Sequence, residues 1–217
     1  VRRFVIGAVV LAAMSSSLHA QSGGPQPDGA VPAPNWFISE VLYNPVGTDG
    51  GLESIEIMGP PGSSAANLKI FVIEGDSGST TGNLTAQIDL TPYSFGSNGL
   101  LLLRDGPTAI DSGVPLVFFS GSNPSTTVAV GAIPFVTAGT LQNGSQTYVL
   151  AFGAPAYAAL TDSDTNNDGV LDLYLGTIVD AVGFLDGFAT DVTYATNLSF
   201  PTVTLNASSG ALYRLLD

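Results

Sequence analysis

The chain has no cysteine and one histidine in 217 residues, and only five lysines and arginines against 18 acidic residues. Without cysteine there is no disulfide to staple the fold and no thiolate to act as nucleophile or metal ligand, so a hydrophobic core must hold it together. The histidine is His19, inside the first twenty residues. Beyond it the commonest general base and most zinc ligands are missing, and the many serines have no imidazole to activate them. Lys69 can act as a base only where burial depresses its pKa. Enzyme chemistry is thus left mainly to carboxylates, and the chain reads as non-catalytic. Scarcity of positive charge excludes a second class: a surface this acidic repels phosphate backbones and anionic bilayers, so neither nucleic acid nor membrane insertion is expected.

Long apolar runs are also lacking, apart from one near the start. VRRFVIGAVVLAAMSSSLHA (1–20) opens on Arg2 and Arg3, continues through an apolar stretch from Phe4 to Met14 and ends in small residues. That is the pattern of a secretory signal peptide cleaved after Ala20, and it is too short to span a bilayer. Removing it leaves Lys69, Arg104 and Arg214 as the only basic side chains, and the product is expected to be secreted or extracellular, with cell-surface association open. QSGGPQPDGAVPAPN (21–35) reads as a flexible Pro/Gly-rich linker, and a single domain is expected over 36–217.

From Trp36 onward the sequence shows short β-like runs and no sustained 3.6-residue period. WFISEVLY (36–43), ESIEIM (53–58), LKIFVIEG (68–75), GLLLLRD (99–105), PLVFFS (115–120), TYVLAF (147–152), GTIVDAVGFLD (176–186) and ALYRLL (211–216) are strand candidates. The clusters between them, such as NPVGTDGG, GDSGSTTGN and LQNGSQ, supply the Gly, Asn, Asp and Pro that reversals require. Many short strands with such turns predict an all-β sandwich. In ESIEIM the alternation puts Ile55 and Ile57 on one face, predicted to be the core face, and Ser54, Glu56 and Met58 on the other.

ISEVLYNPVGTDGGLESIEIMG (38–59) resembles the opening of the lamin tail domain family: a strand, an Asn-Pro turn, and a second strand carrying Glu and Ile. LKIFVIEGDSGSTTGNLTAQIDL is similar to that family's next strand pair and GSNGLLLLRD to the strand that follows. LQNGSQTYVLAF, TIVDAVGFLD and ALYRLLD are similar to its later strands, in the same order. The third strand departs from the pattern, with Lys69 and Ile70 near the place where many members carry Gly-Trp. The resemblance implies an immunoglobulin-like β-sandwich of short antiparallel strands, used in secreted bacterial proteins as a non-catalytic module that often accompanies enzymes.

DSDTNNDGVLD (162–172) carries an oxygen-bearing side chain at nearly every second position until Gly169. Calcium takes six to eight oxygens, and alternate side chains of a tight loop can converge on one ion. With Asp164 at position one of an EF-hand-type or dockerin-like loop, Asn166 falls at three, Asp168 at five, Gly169 at the sharp turn of six, Leu171 at the apolar anchor of eight and Asp172 at the water-mediated ligand of nine. The expected ligands are Asp164, Asn166, Asp168 and a backbone carbonyl at Val170, assisted by Asp172 and Asp162. Position twelve is Leu175 instead of a bidentate acid, so Asp162 or Asp180 would have to complete the shell. A polar turn that needs no metal is the competing reading. Either way the loop is expected to be an insertion between strands, outside the core.

Glu40, Glu53 and Glu56 sit on neighbouring strand candidates and could form a glycosidase-like acid pair. Glu53 and Glu56 differ in strand parity, however, and acids on strand edges commonly keep those edges from pairing. Trp36, Tyr43, Phe71, Phe95, Phe118, Phe119, Tyr148 and Phe152 could include a sugar-stacking platform, but most lie within strand runs and read as core. The leading expectation is a secreted, calcium-stabilised interaction or adhesion module whose partner is an extracellular protein or glycan. A carbohydrate-binding module and a carboxylate-dependent hydrolase are the alternatives. Secreted material is expected to begin at or close to Gln21, which N-terminal sequencing checks; Arg2 retained on the exported chain would contradict it.

Overall fold

A computed structural model describes residues 36–44, 53–104, 125–130, 133, 141–204 and 210–213. The leader, the linker and the strand candidate at 115–120 lie outside these residues. Among the described residues there are ten strands and no helix: β1 (Phe37–Asn44), β2 (Ser54–Met58), β3 (Leu68–Glu74), β4 (Leu84–Asp89), β5 (Leu100–Arg104), β6 (Thr127–Val130), β7 (Gln146–Phe152), β8 (Thr177–Leu185), β9 (Thr202–Thr204) and β10 (Gly210–Tyr213). No helix there is long and apolar enough to cross a membrane.

The strands form two five-stranded sheets, ordered β10-β1-β2-β5-β6 and β4-β3-β7-β8-β9. Packed together they make the β-sandwich that the alternating short strands predict. Most pairs are antiparallel, but β5–β6 and β8–β9 are parallel. A parallel neighbour requires a connection long enough to return to the starting end, and β6 and β9 both follow long connections.

The main core lies between the sheets. Val41, Ile55, Ile57, Leu101 and Leu103 from the first sheet meet Ile70, Val72, Ile88, Tyr148, Leu150, Val182 and Phe184 from the second. Ile55 and Ile57 are both fully buried, as their spacing predicts. Tyr43 of β1 stacks on Phe184 of β8 at 4.2 Å between ring centres, and Tyr148 stacks on the same ring at 5.8 Å. Asp180 of β8 reaches across the sandwich to accept the Ile38 amide of β1 at 2.7 Å.

The second sheet is buried on its outer face as well. Phe71 and Ile73 of β3, Val149 and Ala151 of β7 and Ala181 of β8 form another apolar cluster with Leu84, Ala154, Leu175 and Tyr194. This explains why LKIFVIE and TYVLAF are nearly continuous apolar runs, the mark of strands covered on both sides. The cover comes from the two long connections, 153–176 between β7 and β8 and 186–201 between β8 and β9. Tyr157, Leu171 and Leu173 of the first, and Val192, Leu198 and Phe200 of the second, pack against the cluster. The cover sits so close that a Cβ on Gly183 would lie 1.8 Å from Thr193 Oγ1 and 3.0 Å from the Ala195 Cβ.

Both layers should therefore contribute to stability. Ile57→Ala is expected to cost about 2–5 kcal/mol through the cavity it opens. Gly183→Ala should cost about 1–3 kcal/mol by forcing the cover away from the sheet. Urea titration measures both, and a Gly183→Ala protein as stable as the parent would mean that the cover yields freely.

Candidate functional site

The aspartate-rich loop is built onto the edge of the second sheet. Asn83, just before β4, bridges to Asp162, and the Leu84 amide donates to Thr161 O at 2.9 Å. Ser163 donates through its amide to Gly82 O at 2.9 Å, and the Asp172 amide returns to Ser163 O at 2.7 Å, closing the loop at its base. Inside this frame the chain coils around Asp164, which is 1% exposed. Asp164 Oδ1 accepts the Asp168 amide at 3.1 Å, and Oδ2 accepts the Gly169 amide at 2.9 Å and the Tyr194 hydroxyl at 3.1 Å. The coil needs left-handed backbone at two places, Asn167 at φ 55° and Gly169 at φ 80°, residue types that tolerate it best.

Asn166 and Asp168 stand next to each other on the exposed side, with the Asn166 amide group donating to Asp168 Oδ2 at 3.0 Å. Asp168 Oδ1 accepts the Val170 amide at 2.9 Å, and Asp162 Oδ1 accepts the Asp164 amide at 3.0 Å. The structure thus brings Asp162, Asp164, Asn166 and Asp168 into one hydrogen-bonded coil. Asp172 is turned aside: its Oδ2 accepts both the amide and the hydroxyl of Thr165, at 2.8 and 2.6 Å. Val170 is half exposed, and the carbonyl that Asn197 Nδ2 engages is that of Gly169. Asp180 is committed to Ile38 in the sandwich interior.

Two features depart from the sequence expectation. Leu175, at position twelve, is 3% exposed and belongs to the outer apolar cluster, together with Leu171 and Leu173. The loop is therefore not an insertion outside the core; its C-terminal half is part of the cover on the second sheet. Tyr194 ties the two together, because its ring is fully buried in that cluster and its hydroxyl is bonded to Asp164. Burial, then the neighbouring Asp164 charge, holds this phenol protonated far above the usual tyrosine range.

A second acid group was not legible in sequence. Asp76, Asp186 and Asp191 place carboxylate oxygens within 4.8 Å of one another, on the turns after β3 and β8. Ser145, fully buried, is their hub: its amide donates to Asp76 Oδ1 at 2.6 Å, and its hydroxyl lies 2.9 Å from Asp191 Oδ2 and 3.3 Å from Asp186 Oδ1. The Ser77 amide donates to Asp191 Oδ1 at 3.0 Å. Burial, and after it the charges of Asp191 and Asp186, raise Asp76 despite the Ser145 amide. Burial also works against ionisation of Asp191, but the Ser77 and Ser145 donors prevail and hold it below the usual range. Three hard oxygens so close can hold a divalent cation. The only local sign in the sequence is the turn chemistry of GDSG and DG at two strand ends.

The remaining candidates are dispersed. Tyr43, Phe71, Phe95 and Tyr148 are buried, and Trp36 is stacked on Phe152 at 5.7 Å. Phe118 and Phe119 lie outside the described residues. Tyr174 and Phe188, each 69% exposed, are aromatic rings that the sequence reading did not single out. Glu53 is buried and accepts the Leu141 amide at 3.4 Å, whereas Glu40 and Glu56 are direct partners across β1 and β2.

No family model, curated protein or solved structure matches this chain.

Tyr194→Phe removes one donor to a buried carboxylate and should destabilise the protein by about 1.5–3 kcal/mol. Hydrogen exchange should then rise first in the Asp168 and Gly169 amides. Unchanged protection there would mean that the hydroxyl does not brace the coil.

Proposed function

We propose that this chain is a secreted, non-catalytic β-sandwich module for interaction or adhesion, related to the lamin tail domains it resembles and stabilised by calcium in the loop 162–172. The supporting observation is the coil around Asp164. Its carboxylate accepts the amides of positions five and six, and Asp162, Asn166 and Asp168 belong to the same hydrogen-bonded coil. Asp164, Asn166 and Asp168 supply side-chain oxygens, the Val170 carbonyl and Asp162 add to them, and Asp172 joins by releasing Thr165. Calcium supplies charge neutralisation to acids that otherwise repel one another.

The partner is an extracellular protein or glycan. A carbohydrate-binding platform has less support, since most of the aromatic rings the sequence offered for it are used in packing. A carboxylate hydrolase also has less, because Glu56 is only 6% exposed and out of easy reach of a substrate.

Because a bidentate acid at position twelve is replaced by Leu175, affinity should be modest, about 10⁻⁴ to 10⁻³ M as in extracellular modules. Calorimetry should detect calcium binding in that range, and calcium should raise the melting temperature more than magnesium does. Asp168→Ala should remove that response. Because Leu171, Leu173 and Leu175 belong to the cover, calcium should also slow hydrogen exchange in β3 and β7. No binding heat at millimolar calcium, or an unchanged response in Asp168→Ala, overturns the proposal.

A further inference from the structure

Glu40 on β1 and Glu56 on β2 are register partners in an antiparallel pair. Side chains directly opposite one another have Cβ atoms about 4.5–5.5 Å apart, and like charges there are destabilising. A surface sheet relieves this by turning both carboxylates into water. Here they are drawn in: Glu56 is 6% exposed and Glu40 is largely covered. Ser39 Oγ donates to Glu56 Oε1 at 2.8 Å. Glu40 Oε1 and Glu56 Oε2 are both buried and have no hydrogen-bond partner among the described residues.

Among the described residues, no opposite charge stands directly across the register from either acid. Beyond β2, Arg104 of β5 is the register partner of Ser54, while Leu102 stands opposite Glu56. On the other side of β1, Tyr213 of β10 is Glu40's register partner. Asp180 of β8 meets β1 at the Ile38 amide, on the core side.

We propose that Glu40 and Glu56 are a proton-binding pair that holds one proton between two carboxyl groups and makes the β1–β2 seam tightest in weak acid. A protonated carboxyl is a donor and an ionised one an acceptor, so a single proton satisfies both unpartnered oxygens with one short O–H···O⁻ bond. It also removes the repulsion across the strands. Burial, and after it the Glu56 charge, raises Glu40 from 4.5 to about 7. Burial raises Glu56 as well, with Ser39 opposing. The pair titrates as a unit in two steps.

The folded protein therefore holds this proton more tightly than the unfolded chain does. Its stabilisation is complete below about 4.5 and is lost as the pH rises through about 7. Because β1 also carries β10 on its other edge, loosening the seam reaches that strand too.

Only four glutamates occur in the chain, Glu40, Glu53, Glu56 and Glu74, so glutamate-selective carboxyl ¹³C labelling of the full chain gives four signals to follow by NMR. Those of Glu40 and Glu56 should move together through a step with a midpoint near 7, and that step should vanish in Glu40→Gln. In Glu56→Gln the Glu40 midpoint should fall, because the neighbouring charge is gone. Melting temperature should decline from weak acid to mild alkali, and less steeply in Glu40→Gln. All four signals titrating in the ordinary glutamate range, or a Glu40 midpoint unmoved by Glu56→Gln, overturns the proposal. Should either variant fail to fold, the wild-type titration still decides. Repeating it in millimolar calcium separates proton from metal: an unchanged midpoint supports a proton pair, and a lowered one shows that the acids bind the cation instead.

Discussion

The second sheet has to be covered on both faces, and the rest of the molecule follows from that constraint. Phe71, Ile73, Val149, Ala151 and Ala181 point away from the sandwich interior, and an apolar sheet face left in water forfeits roughly 25 cal/mol for each Å² not buried. A two-layer sandwich has nothing to put there. The chain answers with the connections 153–176 and 186–201, whose leucines and aromatics form a third layer without regular secondary structure. These connections are long because they have a face to cover, and in running over it they bring distant acidic residues to the rim of the sheet.

A cover without helix or strand leaves its own backbone amides to be satisfied, since a buried unpaired N–H costs about as much as a lost hydrogen bond. Aspartate does this in both acid groups. Asp164 accepts two amides of its coil, and Asp191 and Asp76 accept those of Ser77 and Ser145. Structural need and cation chemistry thus draw on the same side chains. A carboxylate offers about four acceptor sites, and Asp164 uses three of them on two amides and the Tyr194 hydroxyl. Tyr194 shows how closely the two roles are joined: its ring lies in the cover and its hydroxyl on the acid that organises the loop.

Much of the fold could be read from the sequence because period-two patterning is a local property. ESIEIM announced the inward Ile55 and Ile57, and the runs LKIFVIE and TYVLAF announced strands, although their unbroken apolarity carried the further message of a second buried face. β6 and β9 escaped notice because TVAV and TVT are too short to separate from loop by pattern, and β4 was anticipated only through the family resemblance and not by its own pattern. In the loop, Gly169 takes the left-handed conformation that its position calls for, since the constraint is local. Leu175 shows where such reading stops: as a loop position it looks like a missing ligand, whereas in three dimensions it is a core residue. The group at Asp76, Asp186 and Asp191 could not be seen at all, because β7 between β3 and β8 is what brings the two turns together.

The shortage of positive charge explains why the buried acids take the partners they do. In most proteins a sunken carboxylate is answered by Arg or Lys. Here Lys69, one of only five lysines and arginines in the chain, is engaged with the carbonyl of Ala154 at 2.8 Å, at the end of β3 away from both acid groups. Asp164 is answered by amides and a phenol, and the group around Ser145 by the amides of Ser77, Ser145 and Phe188 and the Ser145 hydroxyl. Glu40 and Glu56 have between them the single donor Ser39 among the described residues, too few for two charges. The three places therefore form a series in donor supply. Where amides are plentiful they answer the acid; where they run out, the least costly way to neutralise the pair is to keep a proton.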